Sequence, residues 1–562
     1  MSKRRKDELS VKIVPFGPSQ NVIDRISAGL VRNTSVQKYL EHAKYRLLYF
    51  DLVDSYAENN NKGKRKPVPP DRFRATVFDY TNNRTIFVDG SLNKPKSVRI
   101  TESAIQPLPT NDEFDEAVKV LMKRDEEIAS AIREKQLQPY RPMPPLINTE
   151  LPDGTIERTI AVGLVPTTAS TTPSTANGEE QAVVIEDNHQ HEIVGVNMIR
   201  KDVIRFEDKA PPNSAALSRM CGLPDANQPL ATRGTAGQVW VNVYLGNTLL
   251  WRFLAVRPAG SSGTNGSGIE LRYVDYKGKR VLWRAHVPIL NVKYEKDPKK
   301  NRDACGPYRD WQWEEGMIQA NGTNVAPGFR LCPTPATTIL DTGSDTGNFL
   351  GTAIYVQGLE VVLVSELEAG WYRYISEWRL HANGTIRPRF GFTAVRYSCV
   401  CFVHYHHVYW RFDFDIRTPG NNRVREFNDP PLFGSATWHD KNYEIQRPRN
   451  PATKRKWRVE NISTSEGYDI IPGPTDGIAT SSPDWPFPRG DLWILRYHGA
   501  AEIDDGSIAT GPPYEAELDR FLRPSERINP NDVVIWYGGH FSHNIAHTRG
   551  HKLGPDLKPI NW

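Results

Sequence analysis

The stretch RYSCVCFVHYHHVYWRFDFDI, residues 396–416, decides how the rest of the chain is interpreted. It is rich in β-branched and aromatic residues, which predicts a β-strand. Residues two apart in a strand point to the same face. His404 and His406 can therefore reach one metal ion from one side, although histidines at this spacing also serve as ordinary strand residues. The strand predicts a metal site that needs a third ligand from elsewhere.

The C-terminal stretch NDVVIWYGGHFSHNIAHTRGH, residues 531–551, is the richest further source of imidazoles. Spacing alone does not choose among its four histidines, and several of them could be surface residues. They are His540, His543, His547 and His551.

The length of the chain and its pattern of strand-like segments predict a mainly β protein of more than one domain. A chain of 562 residues is too long for a single core. From about residue 225 to the end, strand-like segments alternate with turns, which predicts a large C-terminal β-sandwich over residues 206–562. Two small α+β domains are expected before it, over residues 1–104 and 105–205. A low-complexity loop, residues 165–180, interrupts the second, which also carries a predicted helix at Asp112–Lys135.

Charge and terminal sequence exclude several classes of partner. The net charge is +5, from 71 basic and 66 acidic side chains, so no strong polyanion partner is expected. Neither a secretory leader nor an apolar run of membrane-spanning length is present in the sequence, which predicts an intracellular, cytoplasmic protein without a membrane or nucleic-acid partner. The short basic runs are interpreted as solvated surface; one comprises Lys62, Lys64, Arg65 and Lys66.

The cysteines are too few and scattered for a disulfide framework. Buried, inert thiols are expected, with one structural disulfide left open. The five are Cys221, Cys305, Cys332, Cys399 and Cys401.

Three separated motifs resemble the copper amine oxidases. The histidine strand continues as Arg411-Phe-Asp413-Phe-Asp415, and Asp532-Val-Val-Ile-Trp536 precedes His543, both as in that family. The third motif is AGWYRYISEWRLHANGTI, residues 369–386, in which Tyr372 stands where the family converts a tyrosine to a quinone. The resemblance covers nearly the whole chain. It implies a copper(II) site formed by His404, His406 and His543, with topaquinone made from Tyr372.

The resemblance also implies roles for residues around the quinone. Tyr294 would hydrogen-bond the quinone and Tyr308 would act as a gate. Asp310 would be the general base that removes the substrate's α-proton, with Asp303 as the runner-up. A second cation, calcium or another divalent ion, would be held by carboxylates and carbonyl oxygens. Its implied ligands are Asp413, Phe414, Asp415, Asp532 and Val533.

The expected function is the oxidative deamination of a primary amine by dioxygen, carried out by a homodimer. Four positions depart from the family pattern: Glu368, Trp371, Arg373 and Lys293 stand where Thr, Asn, Asp and Pro are usual. The interval between Tyr372 and His404 is also shorter than in relatives. Two alternatives therefore stay open. One is a copper enzyme of the same fold with an unmodified tyrosine or altered oxidative chemistry, and the other is a non-catalytic copper-binding relative.

Overall fold

Strands dominate the computed structural model, and the predicted mainly β class is confirmed. Helices and strands are labelled in chain order. The structure describes residues 8–53, 62, 67–142, 146–150, 154, 156–166, 183–184, 192–205, 219–223, 235–257, 268–297, 302–303, 308–310, 314–344, 346–395, 397–479, 490–499, 518–543 and 551–562. Most of the predicted low-complexity loop lies outside these residues.

One large sheet carries all three of the predicted copper ligands and is called the histidine sheet. Its central strands alternate residues between a buried inner face and a second packed face, as their aromatic and β-branched content predicts. A short strand, β19 (Tyr308–Asp310), pairs with the end of β16. In spatial order the other strands are β1 (Leu9–Pro15), β13 (Gly237–Leu245), β14 (Thr248–Arg257), β15 (Glu270–Tyr276), β16 (Lys279–Tyr294), β28 (His404–Phe414), β35 (Val533–His543), β34 (Leu492–Arg496) and β31 (Ile445–Arg447).

A second large sheet, called the tyrosine sheet, contributes Tyr372 at the start of β26. Its main path is β21 (Thr323–Ala326), β22 (Phe329–Leu331), β24 (Thr352–Gln357), β25 (Glu360–Ala369), β26 (Tyr372–His381), β27 (Ile386–Ala394), β37 (Asp556–Ile560), β33 (Gly467–Ile471), β32 (Lys456–Asn461), β29 (Asn422–Phe427) and β30 (Trp438–Lys441). Further pairings add β20 (Glu314–Ile318), β23 (Phe349–Leu350) and β36 (His551–Leu553).

The main hydrophobic core lies between the two large sheets. Val408 and Trp410 of β28 belong to the same buried cluster as Ile375 and Trp378 of β26. Burial of these side chains is the chief force that holds one sheet against the other. It also brings the start of β26 next to the start of β28, where His404 lies.

Smaller sheets and helices form the N-terminal part. The first sheet is β2 (Tyr45–Val53), β3 (Arg72–Asp79), β4 (Arg84–Ser91) and β5 (Lys94–Ser103), accompanied by α1 (Gln20–Leu30) and α2 (Thr34–Leu40). The second is β11 (Val203–Arg205), β10 (Glu192–Asn197), β8 (Ile156–Pro166), β6 (Leu137–Tyr140) and β7 (Leu146–Glu150). A two-stranded sheet joins β9 (Val183–Val184) with β12 (Arg219–Met220). Another, in the C-terminal part, joins β17 (Lys296–Asp297) with β18 (Arg302–Asp303). The predicted domain boundaries stay predictions.

The predicted helix at Asp112–Lys135 is interrupted and forms two helices, α3 (Asn111–Arg124) and α4 (Glu126–Arg133). Asp125 has an extended backbone, and its side chain accepts a hydrogen bond from the Ile128 N–H, so it caps the second helix. A single-turn helix, α5 (Ile339–Thr342), lies in the C-terminal part. In the part of the chain that the structure describes, none of the helices combines the length and apolar character of a membrane crossing.

A structural disulfide, which the sequence left open, replaces the inert thiols expected at Cys221 and Cys401. Cys221 and Cys401 are bonded, while Cys332 is a buried free thiol. The backbone bridge between Cys221 and Tyr397 brings the two cysteines together although 180 residues separate them. Disulfides persist in oxidising compartments and are rare in the cytosol. The bond therefore counts against the cytoplasmic location, which stays an untested prediction.

Candidate metal and tyrosine site

Three buried histidines converge at one end of the histidine sheet. His404 and His406 lie on the same face of β28, and His543 ends β35 directly opposite His404 in the antiparallel register. One ring nitrogen from each lies within 4.8 Å of the other two. His543 Nδ1 and His404 Nε2 are 3.1 Å apart. The predicted third ligand, rather than another of the C-terminal histidines, thus completes the group.

The environment keeps His404 and His406 neutral. Burial, and then the neighbouring His543, lowers the pKa of His404 well below its usual value, and burial followed by His404 does the same for His406. His404 Nδ1 lies 2.6 Å from the carbonyl oxygen of Phe402, to which it donates. That bond aims the Nε2 lone pair at the other histidines.

His406 provides an independent indication of a missing ligand. Both of its ring nitrogens are buried without a hydrogen-bond partner among the described residues. A buried polar nitrogen is costly unless something satisfies it. Three neutral imidazoles with room for further ligands suit Cu(II), which prefers nitrogen donors. The residues present therefore fit the copper ion that the resemblance implies.

The Tyr372 hydroxyl lies inside this group of nitrogens. Tyr372 is 2% exposed and begins β26 on the facing sheet. Its Oη is 2.5 Å from His543 Nδ1 and also contacts His404 Nε2 closely. The Tyr372 and His406 ring centroids are 4.3 Å apart. A metal bound by the three histidines would thus have a phenol oxygen beside it.

Trp371, a departure from the family pattern, holds Tyr294 next to the site. The indole N–H of Trp371 donates to Tyr294 Oη at 2.9 Å. The Tyr294 ring stacks on His404 with 4.7 Å between centroids. On its other side Trp371 stacks on Tyr397 at 4.1 Å and 6°. The large side chain therefore forms a wall that positions Tyr294.

Two other departures are partners of each other. Glu368 and Arg373 lie opposite one another in the β25–β26 register, and their charged groups approach to 3.5 Å. Arg373 is buried and donates to the carbonyl oxygens of Gly370 and Tyr372 at 3.0 and 3.1 Å. The pair fixes the turn before Tyr372 without placing a free charge at the site.

The predicted gate and base lie on backbone that borders β16. Tyr308 is opposite Val292 and Asp310 opposite Leu290, while Val292 is itself opposite His406. Asp303 is opposite Lys296, beyond Tyr294, in the β17–β18 pair. The side chains of Tyr308, Asp310 and Asp303 lie outside the described residues, so their roles stay predictions.

The implied second cation site contains a lysine. Carboxylate oxygens of Asp413, Asp415 and Asp532 lie within 4.8 Å of one another, and Phe414 is opposite Val533 in the register. Lys62 Nζ contacts all three carboxylates, at 2.7 Å from Asp415 and 2.6 Å from Asp532. The expectation that Lys62 is solvated is wrong, because its side chain is only 5% exposed. Lys64, Arg65 and Lys66 lie outside the described residues.

Burial and the repulsion between neighbouring carboxylates raise the pKa values of Asp415 and Asp532 in this group. Burial raises the pKa of Asp415 to about 6. Burial, followed by the neighbouring Asp413, also raises that of Asp532 above its usual value. Burial opposes the charge of Lys62, but the three carboxylates outweigh it and raise the lysine pKa above its ordinary value. The ammonium is therefore charged at neutral pH.

A second histidine pair on the opposite face of the same strands was missed. His407 Nδ1 lies 2.7 Å from His540 Nδ1, and His540 Nε2 lies 3.0 Å from the Gly490 carbonyl and 3.1 Å from Asp491. Strand alternation could have found it, since His407 must face away from His404 and His406. His551 stacks on Phe541, and His547 lies outside the described residues.

Comparison with known proteins gives partial sequence similarity and a fold match. No family model matches the chain. The primary amine oxidase of Klebsiella aerogenes is 23% identical over 254 residues, which cover 34% of this chain and 33% of that relative. The match thus spans about one third of the relative's length.

Solved structures match over almost the whole chain at low identity. A copper-containing benzylamine oxidase from Hansenula polymorpha is 12% identical, with a TM-score of 0.51, and the match covers 97% of this chain and 98% of that one. The Aspergillus nidulans amine oxidase is 12% identical, with a TM-score of 0.50 and coverage of 98% and 88%. Lysyl oxidase from Pichia pastoris gives 12% and 0.50, with coverage of 97% and 90%. At this identity the structural likeness shows the fold alone.

Proposed function

We propose that this chain, whose motifs, sequence similarity and fold support the copper amine oxidase family, oxidises a primary amine with dioxygen. The products would be an aldehyde, ammonia and hydrogen peroxide. The observation that carries the proposal is the Tyr372 hydroxyl lying against His404 and His543, within the group of three converging imidazoles.

His404, His406 and His543 would hold copper(II). Copper with dioxygen would supply the oxidising chemistry for converting the Tyr372 phenol to topaquinone, and the quinone would supply an electron sink for amine oxidation. The protein's part is to keep the imidazoles neutral and to exclude water. All three histidines and Tyr372 are at most 6% exposed, which supports both roles.

Tyr294 would orient the modified ring through a hydrogen bond. Its oxygen accepts the indole N–H of Trp371, and a phenol hydroxyl can accept one hydrogen bond and donate another. The stacking of Tyr294 on His404 supports this role. Trp371 would thus serve Tyr294 as a positioning residue.

Asp310 would take the substrate's α-proton, with Asp303 as the runner-up, and Tyr308 would control entry. Support comes from the register, in which the Tyr308 backbone pairs with Val292 and Val292 with His406. A carboxylate near a buried site has the raised basicity that proton abstraction at neutral pH requires. A homodimer is proposed from the resemblance.

Oxygen consumption with a panel of primary amines tests the proposal on copper-loaded protein. We expect amine-dependent oxygen uptake and peroxide release, and a Tyr372→Phe variant that loses both. Tyr374→Phe is the matched control, because Tyr374 is equally buried two residues along β26 and its ring stacks on Tyr372.

Two outcomes would contradict the proposal, and each would favour one of the two alternatives. Oxidation that persists in Tyr372→Phe would favour a copper enzyme with an unmodified tyrosine. Copper binding without any turnover would favour a non-catalytic relative.

A further inference from the structure

Lys62 lies far along the chain from the carboxylates it contacts. It is 351 residues from Asp413 and 470 from Asp532, yet its ammonium lies among all three acidic groups. The Asp413 and Asp415 side chains are at most 2% exposed, and that of Asp532 is 21% exposed. Such burial distinguishes the contact from a surface ion pair, which contributes little.

The chemistry of the group matches an ammonium ion. A lysine has three N–H donors and no acceptor, and here the ammonium donates to Asp413 and Asp532 and forms an ion pair with Asp415. The separation of 2.6 Å to Asp532 is that of a charge-assisted hydrogen bond, and the Asp415 oxygen lies at an ion-pair distance of 2.7 Å. Nζ also lies 4.6 Å from the centroid of the Tyr497 ring, whose face favours a cation.

A divalent ion would compete with the lysine for the same oxygens. Calcium binds six to eight oxygen atoms at short distances, and three of those oxygens would come from these carboxylates. Nζ lies within hydrogen-bond distance of each of them, so a metal ion cannot enter while the ammonium is there. The residues present therefore do not fit the second cation that the resemblance implies.

We propose that the Lys62 ammonium takes the place of the second cation. In the native chain the lysine, and not a metal ion, then neutralises the carboxylates of Asp413, Asp415 and Asp532. The contact ties residue 62 to two strands of the histidine sheet. Asp413 lies on β28, the strand of His404 and His406, while Asp532 directly precedes β35, the strand of His543. The lysine is thus an internal tether between the N-terminal part and the strands that carry the metal ligands.

Calcium uptake by copper-loaded, full-length protein tests the proposal. Protein freed of calcium is dialysed against calcium ions, and calcium and copper per chain are measured together. The native chain is expected to take up no calcium. Lys62→Met, which keeps the side-chain length and removes the charge, is expected to gain one calcium ion per chain. Its Tm should fall by several degrees without calcium and recover when calcium is added.

Lys454→Met is the matched control, because Lys454 pairs with Asp429 at 3.0 Å but is 73% exposed. It should leave both calcium uptake and Tm unchanged. One calcium ion per native chain would overturn the proposal, and this result does not depend on whether the variant folds. A folded Lys62→Met that gains no calcium would also overturn it. Copper content and amine oxidation are read separately, so failure here is distinct from failure of the proposed function.

Discussion

Replacing Trp371 tests whether its hydrogen bond to Tyr294 and its stacking on Tyr397 position Tyr294 beside the three histidines. Trp371→Phe keeps an aromatic ring against Tyr397 but removes the N–H donated to Tyr294 at 2.9 Å. A hydrogen bond of this kind contributes about 0.5–1.5 kcal/mol net. Trp371→Ala also removes the stack and leaves a cavity, and truncating a buried aromatic side chain costs about 3–5 kcal/mol.

These losses of unfolding free energy correspond to modest shifts in Tm, because the unfolding entropy of a long chain is large. Unfolding entropy is about 2.1 cal/mol/K per residue, so for 562 residues 1 kcal/mol corresponds to roughly 1 °C. We expect a loss of about 1 °C for Trp371→Phe and about 3–5 °C for Trp371→Ala. Thermal unfolding of the copper-loaded protein measures both.

A double-mutant cycle isolates the hydrogen bond itself. Tyr294→Phe removes the other partner, so the double variant Trp371→Phe with Tyr294→Phe should cost less than the sum of the single changes, by about 0.5–1.5 kcal/mol. Because Tyr294 stacks on His404, each single change should also alter the copper absorption and electron paramagnetic resonance spectra. Strict additivity with unchanged spectra would refute the positioning role of Trp371.

Three further predictions follow from buried groups. His406→Ala should lose copper, whereas His407→Ala, an equally buried neighbour on the opposite face, should keep copper and lose only stability, as metal analysis and Tm will show. Burial, and then Arg284, lowers the pKa of His286 well below its usual 6.5. Below pH 6.5 the imidazole is therefore protonated in the unfolded chain but stays neutral in the folded chain. Stability should therefore fall as the pH falls below 6.5. His286→Gln should make that slope shallower, by up to about 1.4 kcal/mol per pH unit in thermal unfolding across this range. Removing the Cys221–Cys401 disulfide by a double Ser substitution should cost at most about 5 kcal/mol, because the bond closes a loop of 180 residues. An unchanged Tm would contradict that expectation.

The fold and the grouping of the histidines were predictable where local periodicity carries the information. Strand alternation places His404 and His406 on one face whatever the rest of the chain does. The choice of His543, the last residue of a buried strand, then follows from a motif rather than from spacing. The presence of large sheets was predictable, because runs of aromatic and β-branched residues favour β-strands that pack on a core.

Contacts between distant segments were not predictable in this way. Lys62 lies in a basic, polar stretch whose composition indicates exposed surface, and its carboxylate partners are hundreds of residues away. The Cys221–Cys401 bond likewise depends on which loops the sheets bring together. Asp125 interrupts a helical pattern by its own capping, a local signal that apolar spacing alone overlooks.

Arg373 and Glu368 show a related limit. Each is a large departure from the family pattern when taken alone, but the two are cross-strand partners and bury their charges together. Sequence comparison position by position cannot find such compensation. The register of β25 and β26 makes it visible.

The mass of the peptide that contains Tyr372, measured before and after copper loading in oxygen, tests the central claim most directly. Because the phenol oxygen lies against His404 and His543, we predict a gain of two oxygen atoms with loss of two hydrogens at Tyr372, together with reaction with phenylhydrazine. Copper bound in full by the three histidines while Tyr372 keeps its original mass would contradict the account.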